Sequence, residues 1–180
     1  MTSSSVYRGP LWFQKLRALE RMAYSVERFI CIASLVVMVF ATGYAVMTRN
    51  LHIASPNYGE LGLAALIPLT LVGGAMCTYL GSHISVEIMQ VAPSRFLRNI
   101  AEIAAAVFSI VFACFYIYSG VILVEEFRYT GDKLLDLGTP LWILAAFFPF
   151  GMGLMIFHCI VRMLCVVFGA PKYEESGAAA

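Results

Sequence analysis

Four stretches of the chain, at 29–47, 61–79, 103–124 and 141–161, are almost wholly apolar, and no charged residue interrupts the middle of any of them. A bilayer hydrocarbon core takes about 20 apolar residues of helix to cross, so each stretch predicts a spanning helix. Helix 1 is expected over about 22–49, followed by a turn at Pro56 and Asn57, both turn formers. Helix 2 is expected over 59–82 and helix 3 from Ser94, a candidate N-cap, to about Arg128. Gly131 and Asp132 mark the next turn, and Pro140 opens helix 4, where a missing N–H costs no helical bond. Pro149 lies inside helix 4 and Pro68 inside helix 2; proline removes a backbone bond and clashes with the preceding turn, so both should bend their helices. Gly169 and Pro171 end helix 4.

Two shorter segments are amphipathic. In 11–24, Trp12, Leu16, Leu19 and Ala23 recur at helical spacing, with Gln14, Lys15, Arg17 and Arg21 on the other side. Tryptophan with basic residues suits the membrane–water boundary, which makes Trp12, Lys15, Arg17 and Arg21 candidate interfacial anchors. In 83–93, Ile84, Ile88 and Val91 keep one face apolar while Ser85, Glu87 and Gln90 supply polar groups. The pattern predicts an all-α membrane protein with four transmembrane helices plus short amphipathic interfacial helices. Its expected parts are an N-terminal tail and interfacial helix at 1–24, a four-helix domain at 25–168, and a disordered tail at 169–180.

Composition agrees with spanning helices. Of 180 residues, 61% are hydrophobic and 13% charged, against about 45–50% and 25% in ordinary soluble domains. A net charge of +1 without a basic block argues against nucleic-acid binding. The first apolar run is too long for a cleaved secretory signal, whose core is roughly 7–15 residues, and reads as a retained anchor. With the N-terminus inside, nine lysines and arginines fall on inner segments, and Arg49, Arg128 and Lys133 on outer ones. This bias predicts both termini in the cytoplasm. The five cysteines lie in or beside apolar runs and read as small packing residues.

Candidate chemistry is sparse. Acidic or basic groups inside a membrane usually mark ion or proton paths, and the spans carry none at mid-membrane depth. Small residues recur every four positions: Gly73, Cys77 and Gly81, with Gly74, Thr78 and Ser82 beside them, and Ala101, Ala105, Ser109 and Ala113 on helix 3. Such stripes let helices approach closely in lipid, either within this chain or against a partner. His83 and His158 would both lie near the inner face, and paired histidines on different helices can hold haem; each also reads as a structural residue. Glu60 at the start of helix 2 is favoured there by the helix dipole, as a cap or as a contact for a charged partner. No nucleophile–base set, phosphate loop or cofactor motif is present, so no enzymatic activity and no cofactor is expected.

Arg49 closing helix 1, Glu60, Gly73-Gly74-Ala75, the run Gly81-x-His83-Ile84-x-Val86-Glu87, Pro93, Arg95, Pro140-Leu141-Trp142 and Pro149-Phe150-Gly151 together resemble the small membrane subunit of tripartite ATP-independent periplasmic (TRAP) transporters, the DctQ-like family. The resemblance covers about residues 25–165. It implies a multi-pass subunit of the bacterial cytoplasmic (inner) membrane that stabilises a large membrane subunit. A periplasmic substrate-binding protein would deliver an organic acid to that large subunit, with import coupled to sodium. It also implies a partner interface at Arg49, Glu60, Gly73, Gly74, Gly81, His83, Glu87, Pro140 and Trp142. The competing readings are a membrane anchor of a haem or quinone respiratory complex and a stand-alone small transporter or channel.

Overall fold

The structure, a computed structural model, describes residues 11–80 and 95–167, without the side chains of 95–99 and 102. The expected positions Gly81, His83 and Glu87, the surface segment around them and both tails lie outside the described residues. Among the described residues, five helices follow in order: α1 (Leu11–Asn50), α2 (Gly59–Leu80), α3 (Arg95–Thr130), α4 (Leu141–Ala145) and α5 (Phe147–Val167). Four units, with α4 and α5 taken together, are long and apolar enough to cross a membrane.

The break between α4 and α5 falls at Ala146, three residues before Pro149. A proline at 149 cannot donate to the carbonyl of Ala145, so the expected bend appears as an interruption one turn upstream. α2 runs through Pro68 without interruption. Gly131, at φ 70°, ends α3 with its N–H on the carbonyl of Phe127. This is a left-handed cap that glycine adopts without steric cost.

The helices stand in the order α1, α2, α5, α3, and among the described residues α1 and α3 do not meet. In the most apolar stretch of each span, 11% of residues are buried in α1 and in α3, against 39% in α2 and 33% in α4–α5. Two central helices are therefore flanked by two that present large apolar faces outward.

The stripe of α1 turned to its neighbours is not the most apolar one. Phe13, Glu20, Glu27, Cys31, Ser34, Ala41 and Thr48 are buried and follow the alternating three–four spacing of a helix seam. Phe29 and Phe40 face away, at 72% and 74% exposure. Lipid tails are as apolar as leucine, so large side chains gain nothing by turning inward, and small or polar ones line the contact. The segment expected as an interfacial helix at 11–24 is helical and is the N-terminal end of α1. Its inward face is Phe13 and Glu20, while Trp12 and Leu19 are exposed.

Among the described residues, close approach occurs at glycines other than Gly73 and Gly74 of the stripe on helix 2. A Cβ on Gly62 would stand 2.5 Å from Thr42 Oγ1 of α1, and one on Gly151 would stand 3.0 Å from the backbone of Leu71 in α2. By contrast, among the described residues a Cβ on Gly74 would meet nothing within 4 Å, and one on Gly73 would meet Cys31 Sγ at an ordinary 3.8 Å. On α3, Ala106 and Ala113 pack with Ala75, Met155 and Cys159, while Ala101, Ala105 and Ser109 are half-buried at the edge of that contact.

Candidate functional site

At the end where α1 finishes and α2 begins, Glu60 holds the α3–α4 loop. Its Oε1 accepts the N–H of Leu135 at 2.8 Å. Its Oε2 accepts those of Asp136 at 2.9 Å and Leu137 at 3.3 Å. The loop closes on itself through Leu134 N–H to Thr139 O, Leu141 N–H to Asp132 O, and a bridge between Lys133 and Pro140. Its three consecutive N–H groups form a concavity suited to an anion, and the carboxylate fills it. Glu60 sits in the first turn of α2, so the same charge also faces the positive end of that helix. At the loop's far end, the Arg128 guanidinium lies 5.5 Å from the centre of the Trp142 ring, a cation–π contact joining α3 to α4.

The opposite end carries a polar cluster inside the protein. His158 of α5 places Nε2 at 2.8 Å from Glu27 Oε1 and Nδ1 at 3.4 Å from Glu20 Oε1. His158 is 1% exposed, Glu27 0% and Glu20 5%. Seven residues separate the two glutamates, placing them two turns apart on one stripe of α1. The Tyr79 ring of α2 lies 5.4 Å from the imidazole and stacks on Tyr24 at 4.4 Å. Beyond it, Phe13 packs with Val161 and Cys165. Arg162 donates from Nη1 to the carbonyl of Thr78 at 3.4 Å. Glu27 precedes the apolar run of α1 by two residues, so the cluster belongs to the boundary of the spanning region and not to its middle.

The expected site residues are thus separated. Glu60, Pro140 and Trp142 gather around the α3–α4 loop, and Arg49 is exposed in the last turn of α1. Gly73 and Gly74 lie midway along α2 and away from that loop. Trp12, Lys15 and Arg21 are exposed at the start of α1, and Arg17 is half-buried. Sequence reasoning missed Glu20, Glu27 and the pairing of His158 with them. The available signal was a pair of acidic residues seven apart, in line with Cys31 and Ser34, together with a histidine in the last apolar run. Both ring nitrogens of His158 are occupied by carboxylates, which removes this residue as a haem ligand in the arrangement observed.

A sequence model of the family described as tripartite ATP-independent periplasmic transporters, DctQ component, matches residues 36–169, well over half of the 180-residue chain. No curated protein matches the chain.

Proposed function

The chain belongs to the DctQ family, the small inner-membrane component of TRAP transporters, and on that premise we propose that it holds the large transport subunit in the bilayer without carrying substrate itself. The observation that carries this reading is the family match together with four spans that have no acidic or basic side chain in the middle of any. A transport path for an organic acid and sodium needs charged or polar groups at depth, and here the charged groups cluster toward the two ends. The apolar outer faces of α1 and α3, with Phe40 at 74% and Phe108 at 75% exposure, offer surface for lipid and for a larger membrane partner.

The length of α1 supports a fixed role. Its 40 residues extend about 60 Å at 1.5 Å per residue, roughly twice the hydrocarbon thickness. A long helix with an amphipathic end resists tilt and vertical shift while a partner moves. The loop pinned by Glu60 would face the periplasm in the orientation set by the positive residues, where it could help to seat the substrate-binding protein. A tag on this chain should co-purify a larger multi-helix membrane protein from cells expressing the whole transporter, in near-stoichiometric amount. Recovery of this chain alone, from membranes that contain the large subunit, would overturn the reading.

A further inference from the structure

We infer that Glu20, His158 and Glu27 form a proton-binding site, which takes up a proton from water when the N-terminal part of α1 docks on α5. Each ring nitrogen faces a carboxylate oxygen, at 2.8 Å for Nε2 and 3.4 Å for Nδ1. A hydrogen must lie in each contact, because a bare nitrogen against a carboxylate sets lone pair against lone pair. A neutral imidazole has only one N–H to give. The second hydrogen comes either from an imidazolium or from a protonated carboxyl. Both forms hold the same number of protons, and both carry one negative charge where a neutral ring with two carboxylates would carry two.

Burial strengthens the requirement. All three side chains are more than nine-tenths buried, and an uncompensated charge in such a place is costly. Glu27 Oε2 is buried and accepts from none of the described residues, so this carboxylate is poorly satisfied as a full anion. On α1, Arg17 stands three residues before Glu20, Cys31 lies within electrostatic reach of Glu27, and Tyr24 stacks on Tyr79 of α2, whose ring meets the imidazole; on α5, Cys159 adjoins His158 and Arg162 follows one turn on. The described part of α3 brings Ala106 and Ile110 to the adjoining core. Arg162 is engaged with the Thr78 carbonyl. Glu20 and Glu27 lie before residue 36, outside the segment matched by the family model, and His158 lies within it.

In the unfolded chain an exposed imidazole loses its extra proton near pH 6.5, and exposed glutamates are ionised above about pH 4.3. Above pH 6.5 the folded cluster then holds more protons than the unfolded chain, so stability falls as pH rises. Below that pH the unfolded histidine is also protonated and this dependence disappears. Glu27→Gln separates the proton from the contacts. The glutamine N–H donates to Nε2, the Nδ1–H donates to Glu20, and both contacts persist around a neutral ring with no proton taken up. Glu20→Gln is the mirror case and serves should the first variant fail to fold.

The test is reversible unfolding of the full chain in mixed micelles as a function of pH, with proton release on unfolding measured in weak buffer. Between pH 7.5 and 8.5 the wild-type unfolding equilibrium should shift by up to about tenfold more per pH unit than that of Glu27→Gln. Unfolding at pH 7.5 should release about one proton more from wild type than from the variant. Equal pH slopes and equal proton release would show that the cluster is an ordinary hydrogen-bonded contact and would overturn the proposal.

Discussion

Gly151 of α5 rests directly on the backbone of Leu71 in α2: a Cβ added at Gly151 would stand 3.0 Å from the Leu71 carbonyl carbon and 3.0 Å from its oxygen. A backbone cannot rotate away as a side chain can, so alanine at 151 must push the two central helices apart. Alanine gains up to about 1 kcal/mol in helix propensity over glycine, but overpacking of this kind costs about 1–3 kcal/mol. Gly151→Ala should therefore lower the thermal midpoint of the purified chain. Gly74→Ala, facing open space, should leave it unchanged or raise it. Equal effects at the two positions would show that the contact at Gly151 is not the tight one.

Glu60 should govern the order of the α3–α4 loop and little else in the fold. In Glu60→Ala the three N–H groups of Leu135, Asp136 and Leu137 lose their acceptor and turn to water. Charged hydrogen bonds contribute about 1.5–3 kcal/mol where shielded, and less at this exposed site. Amide exchange across 134–138 should accelerate by about tenfold or more, as expected for a local opening, while exchange in α2 and α5 stays as in wild type. Unchanged exchange in the loop would mean that its own hydrogen bonds suffice.

The bias of basic residues predicts that the Glu60 end faces the periplasm. A membrane-impermeant thiol reagent applied to intact spheroplasts should label cysteines placed at Ser55 or Gly131 and miss those placed at Ser4 or Ser176. The reverse pattern would invert the orientation and put the Glu20–His158–Glu27 cluster at the periplasmic side.

The number, length and order of the spans were legible because a bilayer demands long uninterrupted apolar runs, and little else produces them. The interruption before Pro149 and the turn at Gly131 were legible too, since each follows from the backbone chemistry of a single residue. The facing of the helices was not. In a soluble helix the apolar stripe marks the buried side, but α1 buries Ser34 and Thr48 and exposes Phe29 and Phe40. The small-residue stripe at Gly73 and Gly74 pointed to close approach within the chain or against a partner; within the described residues it is Gly62 and Gly151, which stand in no comparable repeat, that approach a neighbouring helix closely. His158 and its glutamates are 131 and 138 residues apart, and only the packing of α1 beside α5 reveals that they meet. Glu60 was read correctly as favourable at a helix start, but its bonds to a loop 75 to 77 residues away leave no trace in local pattern.

The central claim is that this chain supports a transporter without sharing its ion path, and sodium stoichiometry tests it most directly. Proteoliposomes holding the large subunit, the binding protein and either wild type, Glu20→Gln, Glu27→Gln or Glu60→Gln would be compared at matched amounts of assembled complex. The account predicts the same ratio of sodium to substrate in all four, with any loss of uptake tracking loss of assembly. A changed ratio in any one variant, with the complex intact, would place that side chain on the ion path and contradict the scaffold role.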